Sequence, residues 1–288
     1  MISTRQLECF LAVVDRGTFT AAAEALLLTQ PALSRSVREL ERQIGAPLLE
    51  RLPRGVALTA VGRAVLPAAR AALCEVERVR EVGRRAAGLL GGELHVAVVQ
   101  SLTLGALLPV VHQWQRERPE VQLRLTEFTH RDALEQAVRE GFADIAVGPR
   151  PERWDGPVRA LGVEEFVLVL ADGEEHPPVL AVSELARRRW VHFDRGNGLA
   201  EVLDAVCAAA GFTPLVAVRT MQTSAAPRLA ACGLGVALVP GNILVATDPG
   251  TVVRPEPPVR RAVAAYTRGA PDPAAAAFLD LLARTVRL

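Results

Sequence analysis

Residues 18–45 read TFTAAAEALLLTQPALSRSVRELERQIG, the pattern of two short helices joined by a turn. The threonines at its start are suitable N-caps for a first helix, whose alanines allow close packing against a neighbour. Thr29 is a suitable N-cap for a second helix, and Pro31 falls in its first turn, where a missing N–H costs nothing. Gly45 supplies the C-terminal stop. The stretch therefore predicts a helix-turn-helix unit.

The second predicted helix has one apolar face and one polar face. Its hydrophobic residues recur at steps of four, three and four, at Leu33, Val37, Leu40 and Ile44. At about 100° per residue, the opposite face is basic. It carries Pro31, Arg35, Arg38 and Arg42, with Ser34 beside them. A helix that enters the DNA major groove needs this combination, because small polar side chains read bases while arginines hold phosphates. The alternative is a three-helix bundle whose arginines are only solvated.

The N-terminal residues resemble a known family of DNA-binding proteins. The motif F-x-x-V-x-x-x-G-T-F-T-x-A-A-x-x-L-x-x-T-Q-P-A-L-S-R-S-V-R-E-L-E-x-x-I-G is followed by P-L-L-E-R-x-x-R-G-V-x-L-T-x-x-G. Together they run from about Leu7 to Gly62 and are similar to the N-terminal domain of LysR-type transcriptional regulators. Two departures are mild, since Leu49 stands where the family commonly has phenylalanine and Thr29 replaces a frequent serine.

The resemblance implies a winged helix-turn-helix that reads double-stranded operator or promoter DNA. The residues it places in the major groove are Gln30, Pro31, Ser34 and Arg35. Thr29 and Arg38, on the same helix, complete the expected DNA-binding set there. Pro47–Thr59 forms the wing, a short β-hairpin whose Arg54 reaches toward the minor groove. DNA is therefore the first expected partner.

A long helix is predicted to follow the wing and to pair two subunits. Apolar and small residues recur at alternating steps of four and three, which is the heptad seam of a coiled coil. The seam consists of Val65, Ala69, Ala72, Val76, Val79, Gly83, Ala86 and Leu90. The alternative is one surface helix packed on its own domain. Pro67 should bend this helix, and Gly91-Gly92 should end it. The family resemblance also assigns this helix to dimerisation, so a homodimer is expected and, as is usual in the family, a homotetramer.

After Gly92 the sequence alternates between strand and helix patterns. Buried strands such as LHVAVV (94–99) and EFVLVL (165–170) alternate with amphipathic segments. Repeated β-α units imply open, largely parallel sheets that bind ligands at the strand C-termini. The segment AACGLGVALVP (230–240) resembles one in the two-subdomain effector-binding domain of the same family, which is like a periplasmic binding protein.

The expected fold is therefore α/β, with an N-terminal winged helix-turn-helix, a long linker helix and a two-subdomain effector domain. The divisions are 1–58 for the DNA-binding domain, 59–90 for the linker and dimerisation helix, and 91–288 for the effector-binding domain. Within the last, the first subdomain is expected at 92–161 and 268–288, and the second at 162–267.

Polar side chains at three predicted strand-to-helix turns are candidates for binding the effector. These are Gln100, Ser101, Thr103, Asn197 and Thr223. Hydroxyl groups and free N–H groups at the start of a helix favour an anion, so a small carboxylate is the expected effector. The alternative for each residue is an ordinary helix N-cap.

Composition excludes several other kinds of protein. The apolar runs are far too short for a membrane span, and no export signal precedes them, so a cytoplasmic protein without a membrane partner is expected. Residues 1–88 hold 13 arginines against nine acidic residues, which weakly favours an anion-binding N-terminal part. An enzyme is disfavoured because no nucleophile, phosphate-binding or dinucleotide motif is present. A periplasmic solute-binding protein remains the alternative, although it would need export and would not need the first 90 residues.

No metal and no cofactor is expected either. The five histidines have no metal-ligand spacing, and the four cysteines are widely scattered. We interpret the cysteines as small buried side chains, and a redox role for Cys207 or Cys232 stays open.

Overall fold

A computed structural model describes the backbone of residues 2–52, 55–86, 92–245 and 248–288. The chain divides into two compact units, Met1–Gly92 with Arg139–Phe142 and Glu93–Val138 with Ala143–Leu288. Among the described ranges, no helix has both the length and the hydrophobicity that a membrane span requires.

The N-terminal unit contains the predicted helix-turn-helix and hairpin. Its elements are α1 (Thr4–Arg16), α2 (Phe19–Ala25), α3 (Gln30–Ile44), β1 (Leu49–Leu52), β2 (Gly55–Leu58) and α4 (Ala60–Ala86). Thr18 caps α2 by accepting a hydrogen bond from the N–H of Ala21 at 3.1 Å. Gly17 and Gly45 end α1 and α3 in the left-handed conformation, with φ of 71° and 83°. The caps thus lie where the sequence predicted them.

The three short helices enclose one side of a small core. Phe10 of α1 and Leu33 and Leu40 of α3 are completely buried. The antiparallel pair β1–β2 forms the predicted wing hairpin. Its second strand is tied to the end of α1, because the N–H of Val56 donates to the carbonyl oxygen of Gly17 at 3.0 Å.

Helix α4 is long, as predicted, but only the first part of its apolar seam packs within its own unit, and two later seam residues are exposed. Val65 and Ala69 pack against the core of their own unit beside α1. For this first part of the seam, the surface-helix alternative is therefore correct. Further along, Ala72 is exposed and the side chain of Val79 is 72% exposed. The described part of the helix reaches Ala86, and Leu90, the last seam residue, lies outside the described residues.

The C-terminal unit is built from alternating strands and helices. The first series is β3 (Glu93–Val99), α5 (Gln100–Leu102), a π-helical turn (Thr103–Leu107), α6 (Leu108–Glu117), β4 (Gln122–Phe128), α7 (Arg131–Arg139), β5 (Ile145–Pro149) and β6 (Val158–Leu170). The second series is β7 (Val179–Ala181), a 3₁₀ turn (Val182–Leu185), β8 (Arg189–Phe193), α8 (Leu199–Ala209), β9 (Leu215–Thr220), α9 (Ala225–Ala231) and β10 (Ala237–Pro240). A 3₁₀ turn (Gly241–Ile243), β11 (Thr251–Glu256), β12 (Arg260–Tyr266) and α10 (Pro273–Thr285) complete the chain.

The sheets are mixed, which corrects the expectation of largely parallel sheets. The strand order of the main sheet is β4-β3-β5-β12-β6-β11-β7, and β10 also pairs with β6. Strand β3 is parallel to both its neighbours, as are β8 and β9 to each other. Strand β12 is antiparallel to β5 and to β6, and β10 and β11 are antiparallel to β6. Strands β6 and β12 are antiparallel because β6 carries the chain out of one half of the unit and β12 carries it back.

The C-terminal unit has two hydrophobic cores, which define two lobes. The first lobe surrounds Trp114 and Phe278, whose rings meet edge to face with centroids 5.1 Å apart. The second lobe surrounds Trp190 and Phe193. Strand β6 contributes to both lobes, since Leu161 packs against the first core and Phe166 packs in the second. Residues 263–266 of β12 pack in the first core.

The return crossing lies earlier than the sequence suggested. The side chains of residues 263–266 are buried in the core of the first lobe. The second subdomain, expected at 162–267, therefore includes residues 263–266, which pack in the first lobe. The cause is that the alternation along residues 259–267 indicates one strand and carries no signal for a change of core within it.

Candidate functional site

Helix α3 presents a solvent-exposed face at its N-terminal half. Gln30, Pro31, Ala32 and Arg35 are exposed there, while Leu33 and Val37 are buried on the other side. The face combines one amide, two small apolar side chains and one guanidinium. Such a surface can donate and accept hydrogen bonds at base edges and also contact a phosphate.

Thr29 has the structural role that the sequence assigned to it. Its Oγ1 accepts a hydrogen bond from the N–H of Ala32 at 3.4 Å, which caps α3. The residue is also exposed, so its position remains next to the face described above. Farther along α3, Arg42 pairs with Glu39, and this hydrogen bond lowers the pKa of the Glu39 carboxyl to about 2.

Ser34 does not lie on the exposed face, which corrects its predicted position. Its exposed fraction is 4%. It is about 100° from Leu33 and 60° from Val37 around the helix, so it falls at the edge of the buried arc. Arg38 is exposed, yet its guanidinium folds back along the helix and donates from Nε to the Ser34 carbonyl oxygen at 3.2 Å and from Nη2 to Oγ at 3.4 Å. Arg54, predicted at the wing, lies outside the described residues.

A cavity of about 300 Å³ lies between the two lobes of the C-terminal unit. The first lobe contributes Val99, Gln100, Ser101, Thr129, His130, Arg131, Pro149 and Glu152. The second lobe contributes Asn197, Gly198, Leu199, Glu201, Val202 and Thr223. Arg261 enters from the crossing strand β12. Four of the five predicted effector residues thus line one cavity.

Arg261, one of the two arginines that line the cavity, is held on three sides. Its Nε donates to a carboxylate oxygen of Glu164 at 2.6 Å, and its Nη2 donates to Oγ of Ser101 at 3.3 Å. Its guanidinium carbon lies 5.4 Å from the centre of the Phe166 ring. Glu164 is 1% exposed and also accepts a hydrogen bond from Nδ2 of Asn242 at 3.4 Å. The arginine is therefore fixed in direction before any ligand arrives.

Ser101 and Thr103 occupy different environments. Ser101 lines the cavity and accepts from Arg261, whereas Thr103 is not among the cavity residues. The Oγ1 of Thr103 is shielded from solvent and has no hydrogen-bond partner among the described residues. Residues two apart on a helix point in different directions, which accounts for the different environments of the two hydroxyls. Thr103 therefore does not line this cavity, and an effector contact of its hydroxyl stays a prediction. Neither hydroxyl caps the helix, because its N-cap is Val99, which makes no side-chain capping bond.

Asn197 and Thr223 line the cavity and are joined by a hydrogen bond, and Asn197 alone also bonds to the start of α8. Oδ1 of Asn197 accepts from the N–H of Leu199 at 3.0 Å, which is a capping bond at the start of α8. Its Nδ2 donates to the carbonyl oxygen of Met221 at 3.0 Å and to Oγ1 of Thr223 at 3.4 Å. Both residues line the cavity although they are 3% and 4% exposed. Their hydrogen bonds therefore fix the cavity wall to which both residues belong.

Hydrogen bonds between the lobes border the cavity. Oγ1 of Thr129 donates to the carbonyl oxygen of Gly196 at 2.7 Å, and the N–H of Gly198 donates to the carbonyl oxygen of Thr129 at 2.8 Å. Nε2 of His130 lies 3.2 Å from a carboxylate oxygen of Glu201. The loop around Thr129 is therefore bonded directly to the second lobe.

Sequence reasoning missed the charged residues of the cavity. Arg261, His130 and Glu201 were not among the candidates. Arg261 reaches the cavity from a strand, whereas His130 lies in the turn between β4 and α7 and Glu201 in the first turn of α8, where only hydroxyl and amide side chains had been considered. One signal was present for Arg261, since the pair of arginines at 260–261 interrupts an otherwise apolar strand. A charge inside such a strand requires a partner.

The cysteines have separate environments. Cys207 is completely buried, and burial raises the pKa of its thiol to about 12. Cys232 is exposed. In the described part of the chain, no three His, Cys, Asp or Glu side chains form a group that could hold a metal ion.

Comparisons with known proteins agree along the whole chain. The family model described as "Bacterial regulatory helix-turn-helix protein, lysR family" matches residues 4–63, and the one described as "LysR substrate binding domain" matches residues 87–287. The probable HTH-type transcriptional regulator LrrA of Synechococcus elongatus is 31% identical over 288 residues, which cover 97% of this chain and 96% of that protein. The RuBisCO operon transcriptional regulator of Allochromatium vinosum is 30% identical over 244 residues, which cover 83% of this chain and 79% of that protein.

A solved structure has the same fold. The crystal structure of CbnR, described as a LysR family transcriptional regulator, has a TM-score of 0.75 and 24% sequence identity. The alignment covers 99% of this chain and 100% of that chain.

Proposed function

This chain belongs to the LysR family of bacterial transcriptional regulators, and we propose how its residues divide the work of DNA reading and effector sensing. The DNA contacts are assigned to Thr29, Gln30, Pro31, Arg35 and Arg38 of the helix-turn-helix and to Arg54 of the wing. The effector contacts are assigned to Gln100, Ser101, Asn197, Thr223 and Arg261. Ser34 supports α3 from its buried side and orients Arg38 through their hydrogen bond.

The observation that carries the DNA assignment is the exposed N-terminal half of α3. Arg35 projects from it with no hydrogen-bond partner among the described residues, so its five N–H donors are available to a base edge or a phosphate. Gln30 lies beside the cap of the same helix, where an amide can make a bidentate contact with adenine. Two copies of such a helix read a symmetric site when a dimer holds them at fixed spacing.

The dimer is proposed to form through α4, with homotetramers built from dimers. The exposed side chains of Ala72 and Val79 lie on its seam beyond the part that packs on α1. An exposed valine on a heptad position is costly in water and is covered when a second helix packs against it.

The proposed division of the chain is 1–58 for DNA reading, 59–90 for dimerisation and 91–288 for effector binding. The second lobe runs from about 162 to 262, since the following strand segment packs in the first core. The protein acts on the chromosome in the cytoplasm and has no catalytic role of its own. Its effector changes transcription by binding one arrangement of the lobes better than another.

The DNA assignment is tested by electrophoretic mobility shift and footprinting on an operator duplex, selected by the wild-type protein from a random-sequence pool, and on a random duplex. Arg35→Ala should weaken operator binding by about 1–3 kcal/mol and relax sequence preference. Arg54→Ala should weaken binding to both duplexes more evenly, since a wing arginine reads phosphate and groove width.

Arg5→Ala is the matched control, because Arg5 is an exposed arginine of the same unit that pairs with Glu8 on α1. It should bind the operator at the wild-type level. Wild-type operator binding and selectivity by Arg35→Ala would contradict the assignment of α3.

A further inference from the structure

The chemical class of the effector can be read from the charges around the cavity, given the proposed sensing role of that cavity. Arg261 donates to Glu164 through Nε and to Ser101 through Nη2. A guanidinium has five N–H donors, so three remain without a partner among the described residues. Arg261 lines the cavity, and its side chain is 18% exposed. These donors match the geometry of a carboxylate, which accepts two parallel hydrogen bonds from one guanidinium.

A ligand with negative charge alone is poorly matched to the rest of the cavity. The ionised groups at its wall are two guanidiniums, Arg131 and Arg261, and two carboxylates, Glu152 and Glu201. Glu164 adds a third carboxylate directly behind Arg261, at 2.6 Å. The formal charges of these two arginines and three glutamates therefore sum to −1. A purely anionic ligand would be attracted at one end and repelled at the other.

The acidic side chains are placed where a ligand cation can meet them. Glu201 comes from the second lobe and Glu152 from the first, and their side chains are 76% and 83% exposed. His130 holds Glu201 at 3.2 Å, and Arg131 holds Glu152 at 3.3 Å. Each carboxylate has two oxygens and several acceptor sites, so it can accept from an ammonium group while keeping its present partner.

The side-chain amide of Gln100 adds a hydrogen-bond acceptor that has no partner among the described residues. Gln100 lines the cavity, and its Oε1 is shielded from solvent without a hydrogen-bond partner among the described residues. A shielded acceptor without a partner is costly, and a ligand that donates a hydrogen bond relieves that cost after a rotation of the amide. A carboxylate ligand cannot donate, whereas an ammonium group has three donors.

The remaining wall is apolar and small. Val99 and Pro149 of the first lobe and Leu199 and Val202 of the second line the same cavity. The volume of about 300 Å³ lies at the lower end of the range for small-molecule sites. These surfaces fit a short aliphatic group.

We propose that the effector is a small zwitterion of the α-amino acid class. Its carboxylate binds Arg261 and Ser101, its ammonium group faces Glu201 and Gln100, and its side chain packs on the apolar wall. The proposal rests on the proposed sensing role of this cavity and adds a ligand class to it. No covalent step is involved.

The test is a thermal-shift and calorimetric titration of the full chain with the twenty standard L-amino acids, each used alone. For every amino acid that raises the Tm, the 2-oxo acid and the amine of the same carbon skeleton are titrated next. The amino acid should bind at least about tenfold more tightly than either analogue, since each analogue lacks one charged partner. The same amino acid should change the operator footprint of the wild-type protein.

Variants test separately the contacts to the ammonium group and to the carboxylate of the ligand. Glu201→Gln should reduce the preference for the amino acid over its 2-oxo acid to less than about threefold, because the ammonium group then meets a neutral amide. Glu175→Gln, an exposed glutamate away from the cavity, should leave that preference unchanged. Arg261→Gln combined with Glu164→Gln should abolish binding of the amino acid, and the double change avoids leaving a buried carboxylate without a partner.

The outcomes distinguish this inference from the proposed function. Equal binding of the 2-oxo acid and the amino acid would overturn the zwitterion class while leaving an effector site in place. A panel in which no amino acid raises the Tm would overturn it as well. Loss of operator recognition by the wild-type protein in every assay would instead remove the proposed function itself.

Discussion

Glu164 and Arg261 are directly opposite each other on β6 and β12, and Nε of Arg261 lies 2.6 Å from the carboxylate of Glu164. These are the two strands that connect the lobes. The pair therefore lies at the crossing, with Ser101 of the first lobe and Asn242 of the second lobe hydrogen-bonded to its two ends. The pair therefore contacts both lobes directly.

The Glu164–Arg261 pair predicts an asymmetric response to mutation. Arg261→Gln leaves a carboxylate that is 1% exposed without its cation, which should destabilise the C-terminal unit by about 3–5 kcal/mol. Glu164→Gln together with Arg261→Gln removes both charges and should cost clearly less. Differential scanning calorimetry of the full-length proteins measures both effects as falls in Tm. A double variant that melts as low as the single variant would show that the pair is not the source of the loss.

Ser101 and Thr103 are predicted to have separable effects, although their positions along the helix are close. Ser101→Ala removes a hydroxyl that lines the cavity and accepts from Arg261, so about tenfold more effector should be needed for the same footprint change. Thr103→Ala removes a shielded hydroxyl without a partner among the described residues, and the response should stay at the wild-type level. The comparison uses the compound that gives the largest thermal shift with the wild-type protein. An equal loss of response in both variants would contradict the described geometry.

Val79 is predicted to hold the dimer together. Val79→Glu places a charge on an exposed seam position of α4, where a partner helix would have to bury it. Sedimentation velocity should show a larger monomer fraction, and operator affinity should fall with it. Ala72→Ser, a small change on the same seam, serves as the control and should remain dimeric. A fully dimeric Val79→Glu protein would move the dimer contact to another surface.

Cys207 is predicted to stay unreactive in the folded protein. Its pKa of about 12, raised mainly by burial from the ordinary 9.0, means that only about one thiol in ten thousand is ionised at pH 8. Iodoacetamide at that pH should modify exposed Cys232 first, and Cys207 only after unfolding in urea. The folded thiolate fraction rises as the pH approaches 12, so labelling should increase only in that range. Rapid labelling of native Cys207, measured by peptide mass spectrometry, would reopen a redox role.

The N-terminal elements could be predicted from the sequence because their signals are local. Thr18, Thr29, Gly17 and Gly45 each act on the helix end next to them, and the structure places those ends accordingly. The buried position of Ser34 was missed because a heptad pattern identifies the centre of the apolar face and not its width. The seam of α4 was divided for a similar reason, since periodicity does not reveal which partner covers each turn.

The effector cavity could be predicted only in part. Ser101 and Asn197 are at the strand-to-helix turns that follow β3 and β8, and these turns lie on opposite walls of the cavity between the two lobes. Arg261 reaches the cavity because β12 pairs with β6 in one register, and no local pattern states that register. Thr103 was grouped with Ser101 because the two hydroxyls are close in sequence, but a helix turns positions two apart in different directions, and only Ser101 lines the cavity.

The antiparallel crossing of β6 and β12 has a consequence for protein engineering. Val163 and Ala262 are paired neighbours at the crossing. The chain therefore leaves the first lobe and returns to it at one point. Neighbouring antiparallel strands can be joined by a two-residue hairpin turn. Fusing residue 163 to residue 262 through such a turn would excise the second lobe as a cassette and leave a continuous first lobe. The same point accepts the lobe of another regulator, which makes the crossing a natural site for building chimeric sensors.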